Sequence, residues 1–260
     1  MRIATWNVNS LRVRLPQLLD WLAHAQPDIV GLQETKLVDA DFPQAELAAA
    51  GYQALFTGQR TYNGVALLSR QAPAEPLLNL PGRPVDEQKR FVAATIGSLR
   101  VVNAYVPNGS AVGSDKYAYK LDWLGDFRQY LADALTRWPK LLVMGDFNIA
   151  PADIDVHDPA AWEGQVLVSA PERAALAGIE ALGLTDTFRS LNPDQQAFTW
   201  WDYRAAGFRR NNGLRIDHIL ASAPVLRACR ACRVEIDLRR AERPSDHAPL
   251  LLELDGEALS

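Results

Sequence analysis

The chain has 260 residues, 48% hydrophobic and 22% charged, with no Ser, Gln or Glu tract and no composition break that would mark a linker. It is long enough to bury a large core, and we expect one soluble domain over residues 1–260 rather than a disordered chain. A net charge of −4 excludes a protein that coats nucleic acid indiscriminately; the early polar residues, and the lack of any apolar run near the roughly 20 residues of a membrane span, predict a cytoplasmic protein without signal peptide or membrane anchor.

In chain order, residues 2–5 are a short apolar, β-branched run that reads as a strand, and residues 15–23 carry a helical period. A strand at 29–32, a helix at 43–50 and a strand at 65–69 follow, the last entered through the turn-forming pair Asn63-Gly64. Runs at 91–96 and 100–106, with Ser98 at the turn between them, have the pattern of an antiparallel hairpin. The next helical period spans 117–137, with Leu121, Leu124, Phe127, Leu131 and Leu135 on one face. A strand at 141–144, a helix at 172–182 and strands at 216–221, 233–236 and 249–254 complete the series. Strands outnumber helices without regular alternation, so the expected architecture is layered α/β with mixed sheets, not a Rossmann pattern. Cys229 and Cys232 fall in an apparent strand over 226–236, where residues three apart face opposite sides; ordinary reduced cysteines are expected.

Polar residues collect at the ends of these runs. Asp146 and Asn148 follow the strand at 141–144, and in an extended chain residues two apart share a side, so both aim at one point. Asn7 follows the first strand, Glu34 the second and Tyr105 closes a later one; Asp217 opens the run at 216–221, and Asp246-His247 precede the last strand. Taken singly, Asn7 reads as a turn or cap and Glu34 as a solvated loop acid, whereas Asp217 inside an apolar run needs a buried partner. Loops on one edge of packed sheets can bring such a set together. The inventory suits a hard oxygen-ligated ion such as Mg²⁺ and attack by water on phosphorus. The histidines, at 24, 157, 218 and 247, lack zinc-ligand spacing.

Charge is unevenly spread: residues 201–247 hold ten Arg against six acids, a net +4 that leaves −8 on the remainder. Such a segment is either a phosphate-facing surface or an ordinary solvated arginine face.

The motifs resemble those of the exonuclease III branch of the endonuclease/exonuclease/phosphatase superfamily, which includes the abasic-site endonucleases. They are Ala4-Thr5-Trp6-Asn7-Val8-Asn9-Ser10-Leu11-Arg12, Leu32-Gln33-Glu34-Thr35-Lys36, Asn103-Ala104-Tyr105-Val106-Pro107-Asn108-Gly109, Gly145-Asp146-Phe147-Asn148, Gly213-Leu214-Arg215-Ile216-Asp217 and Ser245-Asp246-His247. Their order along nearly the whole chain makes the resemblance specific. It implies a four-layered α/β sandwich like DNase I, with two mixed sheets face to face and helices outside. It also implies Mg²⁺- or Mn²⁺-dependent hydrolysis of double-stranded DNA, 5′ to abasic sites and at blocked or recessed 3′ ends. A monomer, cytoplasmic and nucleoid-associated, is the default expectation.

Carried over residue by residue, the resemblance makes Glu34 the principal metal ligand, assisted by Asn7 and Asp246. Asp146 would orient or deprotonate the attacking water, Asn148 would hold that water or a phosphate oxygen, His247 paired with Asp217 would contact the phosphate, and Tyr105 would support the phosphate or the departing oxygen. Whether Asp146 or His247 takes the water's proton stays open. Trp200, Leu214 and Ile216 would line a pocket for the abasic sugar, with the segment 153–169, including Asp155, His157 and Trp162, admitting or crowding it; Trp201 reads as plain core. Asn108, Lys116, Arg209, Arg210 and Arg215 are candidate phosphate contacts, Arg215 having an internal ion pair as its other reading. The alternatives are another superfamily phosphoesterase, of the sphingomyelinase or inositol-phosphatase kind, and a catalytically dead nucleic-acid-binding module.

Overall fold

Alternation along the first strand sets the layers. In the computed structural model, which describes residues 1–83 and 87–256, β1 (Arg2–Asn7) turns Ile3 toward one apolar layer and Ala4 and Trp6 toward another. After α1 (Leu11–Ala25), β2 (Ile29–Gln33) pairs parallel to β1, and α2 (Gln44–Ala49), β3 (Gln53–Thr57) and β4 (Val65–Ser69) follow. The chain then lays down β5 (Ala74–Leu77) and the hairpin of β6 (Phe91–Ile96) with β7 (Leu99–Tyr105). It crosses through α3 (Asp115–Arg137) and returns as β8 (Leu141–Asp146), parallel to β7. Next come α4 (Pro159–Trp162), α5 (Ala170–Glu180), β9 (Leu184–Asp186), α6 (Thr187–Leu191) and the small pair β10 (Trp200–Trp201) with β11 (Gly213–Leu214). β12 (Asp217–Ser222), α7 (Ala223–Leu226), β13 (Cys229–Val234) and β14 (Leu250–Leu254) close the series.

Among the described residues the strands form two six-stranded sheets, ordered β13-β14-β1-β2-β4-β3 and β5-β6-β7-β8-β12-β9. Both are mixed: β1–β2 and β7–β8 are parallel, their other pairings antiparallel. Ile3, Val65 and Leu67 of the first sheet meet Val101, Leu142, Met144 and Ile219 of the second in the layer between them. On the outer faces, Trp6 shares an apolar layer with Leu18 of α1 and Leu47 of α2, and Val143 with Phe127 and Leu131 of α3 and Leu176 of α5. This is the expected four-layered α/β sandwich. Near the site a polar tie crosses the apolar layer. Asn103, fully buried on β7, donates to the carbonyl oxygens of Leu32 and Ala66 at 2.9 Å each, and accepts from Gln33 Nε2 at 2.6 Å. Satisfied on both ends, it fixes how the two sheets sit on each other.

Two expectations need correction. α1 begins a turn before the period at 15–23 and runs through Pro16, whose missing amide costs the helix one hydrogen bond. β13 lies inside the apparent strand over 226–236 and extends the run at 233–236 back to Cys229, but a bulge between Cys229 and Ala231 shifts its phase by one residue. Cys229 and Cys232 therefore both face the inter-sheet layer instead of opposite sides. They are free thiols, raised by burial to about 11 and about 12, and inert. No helix among the described residues is long and apolar enough to cross a membrane.

Candidate active site

Several strand ends meet at one edge of the inter-sheet layer. β12 pairs with β8 in a register that sets Asp217 opposite Asp146, and β7 sets Tyr105 opposite Asp146 from the other side. Gly145 permits this: an added Cβ would lie 1.9 Å from the Ala104 carbonyl oxygen and force β8 away from β7. From the first sheet, Asn7 reaches across and donates through Nδ2 to Glu34 Oε1 at 2.8 Å and to Asp146 Oδ2 at 2.9 Å. His247 enters on the loop before β14. Trp6 Nε1 donates to its carbonyl oxygen, and Ser245 Oγ accepts its N–H while donating to the Asn7 carbonyl at 2.6 Å. That leaves His247 Nδ1 2.8 Å from Asp217 Oδ2 and Nε2 3.7 Å from Asp146 Oδ2.

Asn148 joins the cluster by a different route from strand alternation. β8 ends at Asp146, and Asn148 has a left-handed φ of +51°, with its N–H donating to Asp146 Oδ1 at 2.9 Å. A side-chain-closed turn, not an extended run, aims the two side chains together. The Asn148 amide is then gripped by Asn108 Nδ2, which donates to its Oδ1, and by the Val106 carbonyl, each at 3.0 Å.

The electrostatics follow from burial. Asp146, 1% exposed, is raised to about 7 by desolvation, with Asp217 and Glu34 adding to it against the pull of His247 and Asn7. Burial alone would lower His247, but the Asp217 and then the Asp146 carboxylate reverse the effect and raise it to about 10. Both carboxylates favour the imidazolium form of the ring. Burial beside Glu34 lifts the Tyr105 phenol well above its ordinary value and keeps its O–H protonated.

Around this cluster lies a second ring of contacts. Glu34 Oε2 is 2.8 Å from Lys36 Nζ. Asp246 accepts from Asn9 Nδ2 on one oxygen and from Trp200 Nε1 on the other, at 2.9 and 3.0 Å. Asn7 Oδ1 accepts the Asn9 N–H at 2.9 Å. Glu34 and Asp246 are both half-buried at the rim of the cluster, while Asn7, Asp146 and Asp217 are buried. Asn9, Ser10, Glu34, Lys36 and Asn148 all hold positive φ, between +42° and +89°, the kind of strain that a surrounding structure sustains at functional sites.

The donor set fits a hard divalent cation. Glu34, Asp146, Asp217 and Asp246 gather around His247 and Lys36, and Asp217 Oδ1 is buried without a protein partner. Ligand atoms of Asp146, Asp217 and His247 lie within 4.8 Å of one another.

Trp200, Leu214 and Ile216 do come together, in one apolar cluster with Val156 and Val168 and with Trp162 packed against it. They do not form an open pocket: Leu214 and Ile216 are 0% and 1% exposed. Val156 bridges to Leu214, the His157 N–H donates to the Gly213 carbonyl at 3.1 Å, and Trp162 meets the Trp200 ring edge-on at 6.5 Å. A cavity of about 600 Å³ opens beside this segment, lined by Val156, Trp162, Val168, Asp153 and Arg173, but not by Trp200, Leu214 or Ile216.

Arg215 is corrected as a phosphate contact. It is fully buried, with Nε on Asp155 at 2.7 Å and an Nη on Asp186 at 2.6 Å, while Arg189 also binds Asp155 at 2.7 Å. Asp155, 1% exposed, is thereby an interior anchor of the covering segment, not a group at a pocket mouth. The late arginine run is not one continuous phosphate-facing surface either. Arg239 is buried against Tyr203 and Phe208, and Arg230, Arg233 and Arg240 pair with local acids. Arg209 and Arg210 stay exposed, on the turn between β10 and β11. Asn108 and Lys116 share a groove of about 370 Å³ with Arg90 and Tyr62. Trp201 is core, as expected.

Sequence reasoning missed Lys120. It lies four residues before Leu124, on the stripe that buries Leu124, Phe127 and Leu131, and a lysine on an apolar helix face was the available signal.

Residues 4–247 match the Endonuclease/Exonuclease/phosphatase family. Exodeoxyribonuclease III of Haemophilus influenzae is 38% identical over 97% of this chain and 99% of its own length. Among solved structures, the 3′ phosphatase NExo from Neisseria, an Asp-to-Asn variant bound to a product DNA hairpin, is 47% identical with a TM-score of 0.97, covering 98% of this chain and 99% of that one. The AP endonuclease of Archaeoglobus fulgidus is 39% identical with a TM-score of 0.95 at the same coverage. With the order of its motifs, its two mixed sheets and its Asp146–Asp217–His247 cluster, the chain belongs to the endonuclease/exonuclease/phosphatase family, in the branch of exodeoxyribonuclease III and the abasic-site endonucleases.

Proposed function

We propose that the protein is a Mg²⁺-dependent repair phosphoesterase acting on double-stranded DNA, with Mn²⁺ as a substitute ion. It removes nucleotides or blocking phosphates from 3′ ends and cuts 5′ to abasic sites. The observation that carries this reading is the buried Asp146–His247–Asp217 array beside Glu34 and Asn7. A divalent ion held by Glu34 would supply positive charge against the phosphate oxygens, which otherwise repel a nucleophile.

The chain's own groups then divide the work. Asp146, poised near neutrality, accepts a proton from or orients the attacking water, a carboxylate of that value being effective at physiological pH. Asn148, its side chain held by Asn108 and the Val106 carbonyl, retains one N–H for that water or a phosphate oxygen. His247, kept cationic by Asp217, donates toward the charge that grows on phosphorus-bound oxygen. The protonated Tyr105 hydroxyl supports the phosphate or the departing 3′ oxygen. Arg90, Asn108 and Lys116 line a groove suited to the DNA backbone.

Within this reading the geometry favours 3′-end processing. A terminal phosphate needs only to reach the polar cluster, whereas an abasic sugar seated on Leu214 and Ile216 must first displace Val156 and Trp162. The relative at 47% identity, named as a 3′ phosphatase, agrees with that balance. The test is one panel: duplex DNA with a 3′-phosphate, with a recessed 3′ end or with one abasic-site analogue, and a sphingomyelin substrate, each with Mg²⁺ or EDTA. EDTA-sensitive cleavage of the DNA substrates is expected. Hydrolysis of the lipid alone would overturn the repair reading.

A further inference from the structure

Lys120 is fully buried on α3, and each of its three ammonium hydrogens is spoken for. It donates to the Asn148 carbonyl oxygen at 2.7 Å, the Asn108 carbonyl oxygen at 3.1 Å and Glu172 Oε1 at 2.5 Å. The first two acceptors belong to the residues whose side-chain amides bond each other at 3.0 Å beside Asp146. Glu172, also fully buried, holds the far end of the covering segment: it accepts from the Leu167 and Ser169 N–H groups at 3.0 and 3.2 Å and from Ser169 Oγ at 2.5 Å. Tyr117 OH lies 2.6 Å from the same Ser169 oxygen.

An ion pair this deep is weak support for stability, since well-packed apolar side chains of similar volume do as well or better. Its location is what distinguishes it. It stands where the turn after β8, the loop after β7 and the segment over Leu214 converge, and one of its acceptors is a residue in strained, left-handed backbone.

We propose that Lys120 is a positioning residue of the phosphoester site: with Glu172 as counter-ion, it fixes the backbones of Asn148 and Asn108, and through them the angle at which the Asn148 amide meets the reacting phosphate or its water. This rests on the role proposed above for Asn148. The chemistry of the contact is one-directional; Lys120 points its hydrogens at carbonyl oxygens and does not itself reach the substrate.

The test is a double-mutant cycle on release of phosphate from a 3′-phosphate DNA end, comparing wild type, Lys120→Met, Asn148→Ala and the double variant. Misplacing a positioned group typically costs about 10- to 100-fold, so Lys120→Met is expected to lower kcat by that factor with KM changed less than about threefold. In the Asn148→Ala background the same substitution should cost less than about twofold, because the amide it positions is gone. Penalties that multiply, or a loss carried by KM alone, would overturn the proposal. Against misfolding of Lys120→Met, the paired variant Lys120→Met with Glu172→Gln removes both charges while the Gln carbonyl keeps an acceptor for the Leu167 and Ser169 donors. It is expected to fold and still show the low kcat, and its crystal structure to show Asn148 out of its left-handed backbone. A folded pair variant with normal kcat and an unmoved Asn148 refutes the role. Wild-type protein inactive on every DNA substrate would instead strike at the proposed function, leaving the Asn148 displacement in that crystal structure to decide on Lys120.

Discussion

The polar cluster and the segment over Leu214 are neighbours built on opposite plans. Asp146, Asp217 and Tyr105 face one another because three paired strands share one register, so their positions are set by two strand ladders that also carry the core. Val156 and Trp162 lie over Leu214 through one isolated bridge, a four-residue helix and an aspartate tied to a buried arginine. The first arrangement cannot shift without undoing a sheet. The second can be displaced without undoing a sheet, by breaking that bridge, the His157–Gly213 backbone bond and the hold of Arg215 on Asp155.

The sharpest way to break this contrast is at its rigid end. Asp146→Asn keeps the shape and the strand pairing but removes the carboxylate, so the fold should be retained and cleavage should slow by roughly 10² to 10⁴ if the group acts as general base. Near-normal turnover in single-turnover kinetics would reject that role.

At the other end, Arg215→Met leaves Asp186 without its buried cation and Asp155 with Arg189 alone. Removing one partner of a buried pair costs about 3–5 kcal/mol, read as a lower denaturation midpoint, while the salt dependence of DNA binding should not change. A reduced salt slope would return Arg215 to the DNA path. The same pair has a pH signature. Although burial opposes it, Arg215 with Arg189 holds Asp155 below its ordinary 3.8. Its stabilising contribution is therefore complete above that ordinary value and is lost as pH falls through the depressed one, and Arg215→Met should flatten that acid limb in unfolding experiments.

A smaller effect is expected from opening the cover. Trp162→Ala removes the ring edge from Trp200 and should raise cleavage at an abasic-site analogue relative to 3′-phosphate release by about tenfold, the scale on which pocket fit discriminates substrates. An unchanged ratio in paired rate measurements would place the selectivity elsewhere.

Legibility followed the same divide. The strands that form the site announce themselves as apolar runs ending in a polar residue, and each such end contributes to the cluster, because a buried strand has nowhere else to put a carboxylate. What the sequence hid was long-range or short-range in the wrong way. The Asn148 turn replaces strand alternation with an Asp146-closed loop. The partners of Arg215, Asp155 and Asp186, lie 60 and 29 residues away. The bulge at Cys229 and Ala231 moves a side-chain phase by one residue, with no turn-forming glycine or proline to mark it. β9 and β10 are three and two residues long, too short for any period to appear. Lys120 was visible as a charge on an apolar stripe, but its acceptors are backbone carbonyls, which no residue type reveals.

The mildest prediction concerns Arg209 and Arg210, which separate a charged surface from a charged sequence. Of the late arginines, several are buried or paired, and these two are exposed on the turn that follows Trp201, close in sequence to Trp200, whose indole binds Asp246. If that turn meets the DNA backbone, each guanidinium neutralises one phosphate and releases its counterion, so the slope of log affinity against log salt should fall by about 2 in the Arg209→Ala, Arg210→Ala double variant, equally for intact and damaged duplexes. Because phosphate contacts carry no lesion information, kcat on a 3′-phosphate end should stay within about twofold of wild type. An unchanged slope would assign the backbone track to the groove of Arg90, Asn108 and Lys116, and with it the conclusion that the positive run in the sequence serves the interior and the rim of the first sheet rather than the substrate.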